Sequence, residues 1–404
     1  MSENNSNDQL NINDLLNHLL KPTTLKDLFE QKLRELNLSP TAALGILGMQ
    51  HRALFGILEG TQKIVDFTNL IKLSSFLQVP REDVIKMYVD SLQRNFPSLT
   101  VSNPDKVKFI KENFDLAALK KAGVFSSITD FGQIEERLLA RLGLRSIYEY
   151  RRPELSVAFS SGHFQPKNVL IRSFWIKAAT TCLEEISNPY EYDRKALIDF
   201  FPQIRWYSTN VEQGLTEVVK ILFRIGVTVI YQPPLQGLQL RGATLAVNEK
   251  PCIVLTNLQG FYPTLWFALI HELYHVLFDW QDILENRYHL TDDDDQELTV
   301  REREAMADNF AKEYFVPTEK LKSVKRYLTD EAYIEEFAYR NNVHPSFIYI
   351  FSAWDANSNN RGPWARARRH DADYKLAIEQ LDLPWSEARP MYDVMKERKN
   401  VTYK

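Results

Sequence analysis

The sequence of 404 residues has few cysteines, little net charge and no long apolar run. Its two cysteines, Cys182 and Cys252, are isolated, which excludes a disulfide framework and predicts a reducing compartment. The formal net charge of −4 argues against a protein that coats nucleic acid nonspecifically. No stretch approaches the roughly 18 apolar residues of a membrane span, and the amino-terminal segment lacks the basic start and apolar core of a signal peptide. We therefore expect a cytoplasmic protein with no membrane partner.

The length and the ordinary hydrophobic content of 44% predict two or three domains with ample cores. Helical patterns dominate, so the expected fold class is mainly α with a small sheet (α+β). Composition and apolar patterning suggest five segments. These are a mobile amino terminus over residues 1–22, a bundle of five short helices over 23–95, a helical linker over 96–160, a second domain over 161–355 and a helical extension over 356–404.

The strongest motif lies in the stretch from Tyr262 to Trp280, which predicts a long helix with Pro263 in its first turn. His271, Glu272 and His275 form an H-E-x-x-H at its centre. Positions i and i+4 share one helix face, so the two imidazoles converge on one point. Glu272 faces a neighbouring direction and could take a proton from a water held there. The pattern is typical of a zinc hydrolase, and the alternatives are a chance match or a structural histidine pair on a core helix.

A third ligand is needed to complete such a site. Phe278 and Gln281 stand where the metzincin continuation requires Gly and His, which excludes that branch. Downstream, Glu304 and Asp308 occupy positions i and i+4 of a second helical pattern. Glu304 could close a His/His/Glu site with the fourth tetrahedral position left for water. Asp308 could accept the N–H of a ligand histidine and so fix its tautomer.

These motifs carry a family resemblance. The H-E-L-Y-H, followed 29 residues later by E-x-x-A-D-x-F-A and then by V-P at 316 and 317, resembles the ImmA/IrrE metallopeptidases. The resemblance implies a minimal gluzincin-like zincin fold that cleaves or regulates transcriptional repressors. It also implies the residue roles: His271, His275 and Glu304 as Zn²⁺ ligands, Glu272 as catalytic base and Asp308 as a partner of the ligands.

A second resemblance covers residues 24 to about 95. Their short helices with a tight turn between the second and third resemble the XRE-type helix-turn-helix domain of phage repressors and antitoxins. The recognition helix would run from Met49 to Leu58, with Gln50, His51 and Arg52 meeting base edges. Nine basic residues against eight acidic ones leave this segment without a strongly basic face. A partner-binding or dimerisation module is therefore the alternative to DNA binding.

Three β-branched runs, at 226–232, 240–248 and 251–257, predict a small sheet against the active-site helix. Zincins lay an extended substrate along an edge strand, and Leu240 to Val247 is the candidate. The donor that stabilises the oxyanion is left open among Tyr262, Tyr274, His289 and Tyr314.

The carboxy-terminal stretch at 357–370 is basic and aromatic. It either contacts nucleic acid or an acidic partner, or forms a solvated face with one buried Trp. Its basic and ring residues are Arg361, Trp364, Arg366, Arg368, Arg369 and His370.

The first functional hypothesis is a zinc-dependent endopeptidase fused to a DNA-binding regulator. It would cleave a repressor or antitoxin-like protein, and operator DNA and a second copy of the chain are its further expected partners. The second hypothesis is an antitoxin or transcriptional regulator in which the zincin domain is a sensor or docking module. An intact Glu272 favours the enzyme, because a purely structural zinc site has no need of it.

Overall fold

The computed structural model describes residues 24–96, 103–153, 158–159, 169–238, 240–285, 294–356 and 361–403. The predicted mobile segment 1–22 and the oxyanion candidate His289 lie outside these residues. The described chain is mainly helical with a small sheet, which is the expected α+β class. It divides into two compact units, one up to residue 96 and one from residue 103 onward. None of the described helices combines the length and apolar character that crossing a bilayer requires.

The described part of the first unit, residues 24–96, consists of five helices that lie where the apolar patterns predict them. They are α1 (Leu25–Leu36), α2 (Pro40–Leu47), α3 (His51–Leu58), α4 (Phe67–Leu77) and α5 (Arg81–Asn95). Thr24 and Asp27 form a capping box that starts α1, and the Ser39 side chain caps α2. Gly48 ends α2 in the left-handed region at φ 59°, so α3 begins after a tight turn. The core of this unit is apolar and includes Leu25, Phe29, Leu54, Leu73 and Val84.

The second unit begins with three helices, α6 (Pro104–Asn113), α7 (Leu116–Ala122) and α8 (Phe131–Leu142). They fall in the segment that the sequence suggests is a linker, yet their apolar faces belong to the same core as the predicted domain over 161–355. Phe114, directly after α6, packs edge-on against Phe174, and the Thr181 hydroxyl donates to the Leu142 carbonyl. In the structure the second unit therefore includes the segment predicted as a linker from residue 103 onward.

Four strands of the described chain form one mixed sheet in the second unit. They are β1 (Ala158–Phe159), β2 (Thr228–Tyr231), β3 (Gly242–Val247) and β4 (Lys250–Leu255), in the order β1-β3-β4-β2. Strands β3 and β4 form an antiparallel hairpin, and β2 pairs with β4 in parallel. Asn248 and Glu249 both have positive φ, 52° and 60°, which suits the right-handed twist of a two-residue hairpin turn.

The helices around the sheet complete the unit. Before β2 come α9 (Val169–Ile186), α10 (Arg194–Phe200), α11 (Ile204–Tyr207) and α12 (Gly214–Arg224). After β4 come α13 (Tyr262–Phe278), α14 (Trp280–Leu284), α15 (Asp294–Phe315), α16 (Thr318–Val324), α17 (Glu331–Arg340) and α18 (Ser346–Trp354). The chain closes with α19 (Arg361–Arg369), α20 (Tyr374–Ile378) and α21 (Met391–Thr402).

Helix α13 lies at the centre of this unit. It is apolar on every side except for the motif residues, so burial on all faces is the stable arrangement. Every residue from Tyr262 to Leu277 is buried, between strands β3 and β4, helix α15 and helix α18. A helix held on all sides cannot tilt or rotate, and it therefore fixes the directions of the side chains that it carries.

The carboxy-terminal helices, expected as an extension, pack into the same core. The Tyr403 hydroxyl donates to the Val229 carbonyl in β2 at 2.7 Å, and the Trp385 indole N–H donates to the Pro233 carbonyl at 3.1 Å. Helix α21 also packs along α9. The segment from 361 onward is therefore part of the second unit and not a separate appendage.

Candidate metal centre

Helices α13 and α15 bring three potential ligand side chains to one point. His271 and His275 lie one turn apart on the face of α13 that meets α15, and Glu304 projects from α15. The two Nε2 atoms are 3.2 Å apart. Glu304 places Oε2 3.2 Å from the His271 Nε2 and Oε1 3.3 Å from the His275 Nε2. Among the described residues this is the one such group of His, Cys, Asp and Glu.

These spacings fit a tetrahedral Zn²⁺ ion. Metal–ligand bonds of about 2.0–2.1 Å at the tetrahedral angle separate neighbouring ligand atoms by about 3.3 Å. The measured separations of 3.2 Å and 3.3 Å match that value. Three ligands leave a fourth position open, the pattern that distinguishes a catalytic zinc site from a closed structural one.

Each histidine is oriented by a carboxylate on its other ring nitrogen. The His271 Nδ1 donates to Asp308 Oδ1 at 2.9 Å, and the His275 Nδ1 donates to Asp279 Oδ2 at 2.7 Å. A carboxylate only accepts, so both Nδ1 atoms carry hydrogen, and in the neutral imidazoles both Nε2 atoms present lone pairs to the shared point. Those lone pairs converge with the Glu304 carboxylate, and such a cluster of acceptors requires a cation or shared protons.

An arginine in turn holds each of these carboxylates. The Arg241 Nη1 lies 3.2 Å from Asp308 Oδ1, and the Arg303 Nη1 lies 3.6 Å from Asp279 Oδ1. Two matched chains of arginine, aspartate and histidine therefore run to the ligand point, one from each side. The sequence-based prediction does not include Asp279, Arg241 or Arg303. The sequence could have identified Asp279 as a partner of His275, because it stands four residues after that histidine on the same face.

Glu272 lies beside the ligands without belonging to them. Its side chain has 0% exposure, and the Thr244 hydroxyl of β3 donates to Oε2 at 2.8 Å. Oε1 is buried and has no hydrogen-bond partner among the described residues. Gly242 borders this carboxylate so closely that a Cβ there would lie 2.7 Å from Oε1. Strand β3 therefore holds one oxygen of Glu272 and leaves the other available for a proton.

The metal-free centre has strongly displaced pKa values. Burial lowers the pKa of His271, but hydrogen bonds to Asp308 and Glu304 outweigh it and raise the value to about 9. The same balance, with Asp279 and Glu304 as partners, raises the pKa of His275 to about 10. Burial raises the pKa of Glu272 above the usual range of a glutamate.

A prediction concerns the aspartate that orients His275. Asp279→Asn keeps the size of the side chain but removes the charge that strengthens the bond to Nδ1. Loss of such a partner typically costs about 10- to 100-fold in metal affinity. We expect that loss in a competitive zinc titration of Asp279→Asn. Asp282→Asn is the matched control, because Asp282 bonds Arg303 at 2.6 Å and is not bonded to either ligand histidine. Equal affinities of the two variants would contradict the role of Asp279.

The structure narrows the candidates for stabilising the oxyanion. The Tyr262 hydroxyl donates to the Ser208 carbonyl at 2.9 Å, and the Tyr314 hydroxyl donates to the Phe201 carbonyl at 2.6 Å. Both hydroxyls are therefore engaged by backbone groups. Tyr274 lies next to the centre, with its ring edge-on to His275 at 5.7 Å. Of the predicted tyrosines, Tyr274 alone keeps an uncommitted hydroxyl among the described hydrogen bonds.

The predicted substrate strand, Leu240 to Val247, is not a free edge along its whole length. Its central part is β3, which pairs with β4 on one side. On the other side β1 pairs with it, Ala158 opposite Thr244 and Phe159 opposite Ala243. The prediction missed this short strand, which lies in a segment that reads as irregular. A peptide could add to this edge only after β1 leaves or beyond the two paired positions.

The residues proposed to read DNA lie at the start of α3. Gln50 is the N-cap residue and its side chain makes no capping hydrogen bond. Gln50, His51 and Arg52 are all exposed, and the His51 ring stacks on Phe55 at 4.3 Å. All three side chains are therefore presented to solvent directly after the tight turn at Gly48.

The candidate metal centre thus combines elements that are distant in sequence. Helix α13 supplies two ligands and Glu272, helix α15 supplies the third ligand and Asp308, and strand β3 orients Glu272. No family model, curated protein or solved structure matches the chain.

Proposed function

We propose that this protein is a zinc-dependent endopeptidase fused to a DNA-binding regulator. The observation that carries the proposal is the convergence of His271, His275 and Glu304 at tetrahedral spacing beside the buried carboxylate of Glu272. The proposed fold of the second unit is a minimal gluzincin-like zincin, and that of the first unit is an XRE-type helix-turn-helix bundle. The proposed substrate is a repressor or antitoxin-like protein.

The proposed chemistry assigns a separate task to each side chain. Zn²⁺ held by the three ligands would supply the Lewis acidity that activates a water and polarises a carbonyl. Glu272 accepts the proton of the attacking water on its free Oε1 and delivers it to the leaving amine. Thr244 holds Oε2, so the carboxylate keeps one orientation throughout. Asp308 and Asp279 keep both imidazoles in the ligating tautomer.

A peptide library tests the peptidase without knowledge of the natural substrate. Zinc-loaded protein is incubated with peptides derived from a whole proteome, and new termini are identified by mass spectrometry. We expect cleavage within a restricted sequence context, and no cleavage after removal of the metal by a chelator. New termini that persist in the chelated protein would assign the activity to a contaminant. Their absence in the zinc-loaded protein would favour the sensor described next.

A second candidate function is a regulator whose metal centre is a sensor or docking module. The observation that favours it is the pairing of β1 with β3, which occupies part of the edge that a substrate would use. In this function metal binding would lock α13 to α15 through Glu304 and so change the surface of the second unit. The sensor requires the three metal ligands but not the carboxylate of Glu272. A variant that lacks only this carboxylate therefore distinguishes the sensor from the enzyme.

The first unit carries its own prediction. If Gln50 and Arg52 read base edges, their joint replacement by Ala removes contacts worth about 1–3 kcal/mol each. We expect the double variant to lose specific binding to the protein's own promoter in mobility-shift assays at moderate salt. The melting temperature should stay unchanged, because both side chains are exposed. A wild-type protein that shows no specific shift would make this bundle a protein-binding or dimerisation module.

A further inference from the structure

A second concave site lies in the same unit, among side chains that the metal centre does not use. It is a cavity of about 200 Å³, here called the basic cavity. Its lining comes from the segment after α16, from α18 and from α19: Lys325, Leu328, Tyr349, Ser352, Ala356, Pro363 and Arg366. A cavity of this size can hold a small metabolite.

Two cations line the basic cavity, Lys325 and Arg366. Lys325 shares the carboxylate of Asp355 with Lys312. The carboxylates of Asp330, Glu331 and Glu335 also act on Tyr349, so the charges around the cavity are mixed. Arg366 lines the cavity without an ion pair to a described carboxylate, so its guanidinium is the group that can bind an anion.

Two uncharged donors add to this charge. Ser352 is 6% exposed, and its hydroxyl is buried with no hydrogen-bond partner among the described residues. A helical serine normally returns its hydroxyl to a carbonyl of the preceding turn, so an unsatisfied one beside a cavity points to a missing acceptor. Tyr349 is 4% exposed, its ring is stacked on His370 at 4.1 Å, and no described group bonds its hydroxyl.

We propose that the basic cavity binds a small phosphomonoester. A phosphomonoester carries about −1.5 to −2 charges at neutral pH, and these can pair with the guanidinium of Arg366 and the ammonium of Lys325. Arg366 presents a planar fork that fits two phosphate oxygens, Lys325 supplies a point charge, and Ser352 supplies a hydroxyl donor. Leu328, Ala356 and Pro363 form an apolar wall for a short carbon chain. The basic stretch at 361–369 thereby gains a role at Arg366 that is distinct from nucleic-acid binding.

Isothermal titration calorimetry of the full chain with glycerol 3-phosphate tests the proposal, at constant ionic strength and without free zinc. We expect millimolar or tighter binding by the wild type. Arg366→Gln should bind at least tenfold more weakly, because it removes a charge-assisted hydrogen bond to the anion. Arg368→Gln is the matched control, since it makes the same charge change at an exposed position of the same helix and should bind like the wild type.

Two further measurements test the proposal independently of Arg366→Gln. Ser352→Ala removes one donor and should weaken binding several-fold, which serves if Arg366→Gln does not fold. Glycerate replaces the phosphate by a carboxylate and should bind more weakly than glycerol 3-phosphate. The proposal is overturned if the wild type does not bind glycerol 3-phosphate. It is also overturned if Arg366→Gln and Ser352→Ala bind it as tightly as the wild type does, or if glycerate binds as tightly as glycerol 3-phosphate. The outcome does not depend on the metal centre, because the assay reads binding and not proteolysis.

Discussion

Glu272→Gln is expected to abolish peptide cleavage while the metal and the fold stay in place. The amide keeps the size and polarity of the carboxylate but cannot accept a proton from the attacking water. Loss of a positioned general base costs about 10² to 10⁴ in rate. Metal content should not change, because the ligand point is already formed by His271, His275 and Glu304. Thr244 can still donate to the carbonyl oxygen of the amide, so the side chain should keep its place.

The measurement compares cleavage of a peptide selected from the library by the wild type and by Glu272→Gln. Zinc is counted by elemental analysis, and the fold is checked by circular dichroism. Glu302→Gln serves as the matched control, since it makes the same chemical change at an exposed position near Glu304. A Glu272→Gln variant that cleaves as fast as the wild type would remove Glu272 from the mechanism. If it also regulates normally in cells, proteolysis is not the function of this unit.

The ligand helix could be predicted because its information is local. Helical geometry converts the spacing of His271 and His275 directly into a shared direction, whatever the helix packs against. Glu304 and Asp308 follow the same rule on a second helix. Asp279 obeys it too, four residues beyond His275, although the predicted site comprises only three ligands and one partner.

The contribution of strand β3 could not be predicted in the same way. Thr244 reaches Glu272 across a strand-to-helix interface, and Gly242 borders the same carboxylate. Such contacts depend on sheet register and on how the helix lies over the sheet. A shift of one residue would turn Thr244 to the opposite face. The spacing of residues in the sequence determines neither the sheet register nor the placement of the helix over the sheet. The roles of Thr244 and Gly242 can therefore be recognised only in the structure.

The domain boundaries show a related difference. The segments 103–153 and 361–403 have amphipathic helices, and periodicity predicts their helical state well. Periodicity does not say which apolar surface covers a given face. The structure supplies the partners, Phe174 for Phe114 and β2 for Tyr403, and both segments thereby join the second unit. When the packing partner of an apolar helix face is unknown, the sequence favours describing such a segment as a linker or an extension.

The final prediction concerns metal binding and pH. The protein is expected to bind about one zinc per chain, and His271→Ala or Glu304→Ala should remove it. Either variant leaves two ligands, which is too few for a stable tetrahedral site. Zinc present at 1,000 times its dissociation constant stabilises the folded state by about 4 kcal/mol. For a unit of this size that corresponds to a rise of roughly 6 °C in melting temperature, absent in both variants.

This stabilisation should grow as pH rises from 6 to 8.5. In the metal-free protein the raised pKa values of about 9 and 10 favour protonated histidines, and their contribution to stability is full below the unfolded value near 6.5. That contribution falls as pH rises toward the folded values. Zinc needs both imidazoles neutral, so protons compete with it most strongly at low pH. The melting temperatures of zinc-loaded and metal-free protein should therefore diverge with increasing pH, as differential scanning calorimetry can measure. A constant or shrinking difference would show that zinc does not displace protons from His271 and His275.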